Sequence, residues 1–237
     1  MPPIFHVGVS GFSYASWKGT FYPRETKSEE FLVSYAQRLN SVEINSSFYA
    51  FPREDTIRGW SERTKEDFRF AFKAPQQITH VMKLGEGAAD AAIRFSRVVD
   101  LLGPRRGPLL FQLPPFSKQD IKRLEDFLAK TSAVEGRVFE FRHPSWLADS
   151  TYEMLDEHGV GFCIAETDDM EPVPRVTGAF GYFRLRKDSY DAKALDRWAK
   201  KIKELSASSP ECFVYLRHDE TGENGLLAER LSEKLGE

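Results

Sequence analysis

The residues best suited to chemistry are acids and bases placed at the ends of apolar, strand-like runs. Glu43 and Asn45 stand in SVEIN, Lys73 closes FRFAFK, and Gln112 stands in LLFQL. Glu140 and Arg142 alternate with Phe139 and Phe141 in RVFEFRHPSW. Ser10, Tyr182, Arg184 and Arg217 hold similar places at or near the ends of three other runs. Side chains alternate across a strand, so Glu140 and Arg142 share one face, roughly 6–7 Å apart. If all these residues face one cavity, two acids (Glu43, Glu140) meet four bases (Lys73, Arg142, Arg184, Arg217). Buried charges must be paired, and two ion pairs leave about two positive charges over. Such an excess suits a phosphate or carboxylate held by arginines. The bland alternatives are cations leaning into solvent at a rim, and carboxylates serving only as ion-pair partners.

Glu43 and Glu140 are the natural candidates for general acid–base work, as in the paired carboxylates of glycosidases. Tyr14, Trp17, Tyr49, Trp146 and Tyr182 can stack on a sugar or a base, or can simply pack. His80, His143 and His218 each follow a strand, with Glu43, Glu140, Glu166, Asp168 and Asp169 as further metal-ligand candidates. Their spacing matches no short metal motif, and nearby arginines disfavour a cation, so no metal and no cofactor is expected. The run GVSGF lacks the last glycine of a nucleophile elbow, and neither a P-loop nor G-x-G-x-x-G is present.

Eight strand-like runs must carry these groups, at about 4–10, 41–45, 68–73, 109–113, 137–141, 161–165, 179–185 and 211–216. Helical periodicity follows most of them, at about 30–39, 55–63, 88–102, 117–129, 146–158, 191–205 and 225–235. Capping is expected from a Thr26–Glu29 box, from Ser117 with Asp120, and from Ser145. The stretch 170–178 has two prolines and no helical period, so the helix after the sixth strand is expected to be short or missing. The pattern predicts an α/β fold, a parallel (β/α)8 TIM-type barrel filling residues 1–237 as one domain. An open doubly wound sheet would want the missing glycine fingerprint.

Net charge is −3, from 33 basic and 36 acidic residues, so no global basic field recruits nucleic acid, although a local basic mouth is allowed. Cys163 and Cys212 lie in apolar runs and read as buried free thiols. No leader-like start and no apolar run of membrane-spanning length is present, which predicts a cytoplasmic protein without a membrane partner.

Several blocks together resemble the YecE-like family, a domain of unknown function. They are GVSGFSYASWKGTFYP, VEINSSFYAFP, FRFAFKAPQQITH, LLFQLPPF and FEFRHPSW, which cover most of the first 146 residues. The resemblance implies a TIM-type barrel and brings no reaction with it. The chain departs from the family's usual run after the seventh strand, where it has Arg184-Leu185-Arg186-Lys187, and after the eighth, where it has Arg217-His218. Three functions fit: binding, with possible hydrolysis, of a small anionic ligand through Arg142, Arg184 and Arg217 with a Glu base; non-catalytic binding of nucleic acid or a phospho-metabolite; and metal-dependent phosphoester cleavage using the histidines.

Overall fold

The computed structural model describes residues 3–167 and 171–236. Eight strands form one parallel sheet: β1 Ile4–Val9, β2 Ser41–Ile44, β3 Arg69–Lys73, β4 Arg106–Gln112, β5 Arg137–Glu140, β6 Gly161–Glu166, β7 Phe180–Leu185 and β8 Glu211–Leu216. Pairing runs β1-β8-β7-β6-β5-β4-β3-β2, and the ends β1 and β2 approach each other to give a nearly closed barrel. Valine, isoleucine and phenylalanine dominate the outward positions, where each strand must bury a face under helices.

Side chains replace the backbone ladder where β1 meets β2. The Asn40 amide accepts from Val7 N–H at 2.8 Å and donates to the Phe5 carbonyl at 2.8 Å. One turn further up, the Tyr35 hydroxyl accepts from Val9 N–H and donates to the Ser41 carbonyl. Only at the top do the backbones join, where Gly11 N–H donates to the Glu43 carbonyl at 2.9 Å. Gly8 is required here, since a Cβ on it would lie 2.0 Å from the Ser41 oxygen.

The helices are α1 Phe31–Ala36, α2 Glu54–Glu62, α3 Ala88–Val99, α4 Ile121–Lys130, α5 Asp149–Glu157, α6 Ala192–Leu205 and α7 Glu223–Gly236. Among the described residues none lies between β6 and β7, in keeping with the prolines there. Three starts differ from the sequence reading. The first box closes one residue on, with Lys27 N–H donating to Glu30 at 2.9 Å. Asp120, not Ser117, accepts from Arg123 N–H and caps α4. Ser145 lies in a single 3-10 turn after β5, and α5 begins only at Asp149. In the first two a nearer side chain met the exposed N–H groups first, whereas α5 starts after Ala148 with no side-chain cap. Asp191, where a helix was expected to start, caps α6.

One apolar core fills the space between barrel and helices. A second, smaller cluster plugs the barrel itself: Ala71, Leu110, Val138, Cys163, Ala165, Tyr182, Phe213 and Tyr215. This plug is the floor on which the charged residues stand. No helix among the described residues is long and apolar enough to cross a membrane.

Candidate functional site

The parallel sheet points every strand's C-terminus at the same mouth, so strand-end residues from distant parts of the chain converge there. Arg184, at the end of β7, is fully buried and lies between the two acids. One guanidinium nitrogen donates to Glu43 Oε1 at 2.8 Å and another to Glu140 Oε2. Ser10 Oγ and Tyr182 OH also donate to Glu43, at 2.8 and 2.7 Å. Gln112 and Arg142 donate to Glu140 Oε1, at 2.6 and 3.1 Å. Glu43 therefore accepts three hydrogen bonds, and Glu140 accepts three from nitrogen and a fourth, at 4.0 Å, from the Cys163 thiol.

Burial pushes the pKa of both acids up, but the adjacent guanidiniums win and both are lowered. Arg184 and Arg186 act on Glu43. Arg184 and Arg142 bring Glu140 down to about 2. Both are ionised at neutral pH, and Glu140 is a weak base.

The remaining cations surround this layer. Arg186 follows Arg184 by two residues and so returns to the same face. Its Nη1 donates to Ser10 Oγ at 2.6 Å. Burial, and then Arg184, lower its pKa to about 10. Lys73, from β3, rests its ammonium 4.0 Å over the Phe48 ring. Burial, and then Arg184, lower it to about 8. Neither Lys73 nor Arg186 has a carboxylate within ion-pair distance among the described residues. The mouth thus holds Glu43 and Glu140 against Arg142, Arg184, Arg186 and Lys73.

Arg186 is the member that the sequence reading missed. Its signal was the alternation itself, carried one step past the end of β7. Arg217 is instead turned to Asp188 at the exposed rim, where the two form an ion pair.

The aromatics divide. Trp17 is buried and donates to the Asp219 carbonyl at 2.8 Å, among Tyr14, Phe21 and Tyr22. Trp146 is buried against Phe141 and donates to the Ser117 carbonyl. These two indoles are packing groups that seal the barrel end. Tyr14 stacks on His218 at 5.1 Å and donates to the Ser10 carbonyl, which places it beside the mouth. Asn45 joins Tyr14 and Trp60 around a cleft of about 250 Å3, and its buried Oδ1 has no hydrogen-bond partner. Tyr49 is 77% exposed, and Phe116 is 66% exposed; both lie in loops on the β2–β4 side.

His80 bonds Thr79 Oγ1 at 2.9 Å and meets Phe48 edge-on. His143 is bonded to Ser145. Glu166 faces outward, taken by Trp198 Nε1 and Lys187. No group of three or more His, Cys, Asp or Glu side chains that could hold a metal ion occurs among the described residues. Asp168 and Asp169 lie outside those residues.

The model of the family described as "Protein of unknown function DUF72" matches residues 6–237. The UPF0759 protein YecE of Escherichia coli is 30% identical over 66% of the chain, and the match spans 55% of that relative's length. The UPF0759 protein YunF of Bacillus subtilis is 23% identical over 93% of the chain and 90% of its own length. The crystal structure of a DUF72 family protein from Thermotoga maritima superposes with a TM-score of 0.87 at 27% identity, covering 99% of this chain and 100% of that one.

Proposed function

From the premise that the chain belongs to the DUF72 family, whose description names no reaction, we propose that it binds a small phosphate- or carboxylate-bearing ligand at the barrel mouth. The observation that carries this reading is the uncompensated positive charge. Glu43 and Glu140 are spent on Arg184, which leaves Arg186, Arg142 and Lys73 facing the opening with two charges unmatched. The lowered pKa values of Arg186 and Lys73 express the same imbalance, because burial and a neighbouring cation both work against their charged forms. An anion bound among them removes that penalty and gains charge-assisted hydrogen bonds.

In this reading the two glutamates are positioning residues. They hold Arg184 flat across the floor and so set the field that the ligand meets. Hydrolysis with a glutamate base is the less favoured form of the same proposal, since a carboxylate at about 2 takes a proton poorly.

Calorimetric titration with inorganic phosphate at low ionic strength tests the proposal. Binding that weakens at least tenfold in Arg186→Gln, and hardly changes in Arg217→Gln, is expected. Equal binding by all three proteins contradicts it. A second reading, an extended phosphodiester with its bases on the β2–β4 side, draws on the exposure of Tyr49 and Phe116. It requires a single-stranded oligonucleotide to bind more tightly than phosphate and with a steep salt dependence.

A further inference from the structure

We propose that Lys73 is a nucleophilic amine, forming a Schiff base with a small aldehyde or ketone that carries a phosphate or carboxylate group. The inference rests on the anion reading above, because the arginines would hold the charged end of that substrate. Lys73 projects from the end of β3 into the mouth, and its Nζ sits on the face of Phe48. The charged groups that act on it are Arg184 from β7, Glu140 from β5, Glu43 from β2 and Arg142 just past β5. Both carboxylates are already bonded to guanidiniums, so the ammonium gains little from them. A lysine placed in a desolvated site beside other cations is the arrangement that activates an amine. Its pKa of about 8 is in keeping with that geometry.

A proton carrier stands next to it. His80 meets the edge of the same Phe48 ring, with centroids 5.0 Å apart. Its Nδ1 is engaged by Thr79, which leaves Nε2 for transfer. Burial, then Lys73 and Arg142, lower its pKa, so it is a neutral imidazole at neutral pH. The free Nζ electron pair attacks the carbonyl carbon, and the carbonyl π pair moves to oxygen. His80 takes one proton from the now cationic nitrogen while the oxygen takes one from solvent, which gives the neutral carbinolamine. His80 returns its proton to the hydroxyl, which leaves as water as the nitrogen pair forms the C=N bond. The product is an iminium ion, and nothing is oxidised or reduced.

Glyoxylate, an aldehyde bearing a carboxylate, is the probe, with cyanoborohydride to reduce any imine and peptide mass mapping to locate it. Near pH 7 the wild-type protein should label Lys73 roughly a hundredfold faster than the exposed Lys130 and Lys200, given the larger free-amine fraction. Inorganic phosphate should suppress that labelling and leave the surface lysines unaffected. Labelling spread evenly over the lysines overturns the proposal, and so does acetaldehyde marking Lys73 as fast as glyoxylate does. Calorimetry with phosphate on the same sample separates the two failures. If phosphate binds and Lys73 is not singled out, only the Schiff base falls; if phosphate does not bind either, the anion site falls with it.

Discussion

Arg184 is the residue on which the mouth depends. Replacing it with leucine leaves two carboxylates buried without their shared partner, and the loss should be about 3–5 kcal/mol in urea unfolding. The rim pair Arg217–Asp188 is exposed, so Arg217→Gln should stay within about 1 kcal/mol of wild type. The acids also set a pH limit. Their folded pKa values lie below the usual 4.5, so their stabilisation is complete above that value. It should drain away as pH falls from about 4.5 toward about 2, and Glu140→Gln should flatten that limb of a stability–pH curve. Lys73 has the opposite effect. Its folded pKa is lowered to about 8, so the protonated form is penalised in the fold at neutral pH. Lys73→Met should therefore raise stability near pH 7 by roughly 1–2 kcal/mol in the absence of ligand. The acids, Arg184 and Lys73 were legible from alternation alone. The pairing of Arg217 with Asp188 was not legible, because alternation gives the direction of Cα–Cβ and says nothing of where a long side chain ends.

At the scale of elements, the join between β1 and β2 is the least ordinary feature. Tyr35→Phe removes the acceptor for Val9 N–H and the donor to the Ser41 carbonyl, in a buried place. The cost should be about 1–3 kcal/mol, with faster amide exchange at Val9 than elsewhere in β1. Gly8→Ala should prevent the join from closing. None of this could be read from the sequence, since Asn40 and Tyr35 look like an ordinary turn residue and a helix-stripe aromatic. Strand existence was far easier to read, and β8 matches its expected limits. Helix starts were read less well: at Lys27 and Asp120 a neighbouring capping side chain took the exposed N–H groups, and α5 begins at Asp149 with no side-chain cap to mark it.

For the whole molecule, the eight-fold repetition of strand and connection was enough to give the barrel, and the block resemblance agreed with it. What repetition could not give was the charge balance at the mouth, which depends on side chains from the ends of β1, β2, β4, β5 and β7 meeting within hydrogen-bond reach, with Lys73 of β3 set over Phe48 beside them. The proposed function requires that this positive balance be completed by an anion. A crystal of the protein soaked in inorganic phosphate tests that requirement. Tetrahedral density within hydrogen-bond distance of Arg186, and close to Arg142 or Lys73, is the predicted result. A mouth holding only water at saturating phosphate, with Lys73 or Arg186 folded away to a surface carboxylate, would contradict it.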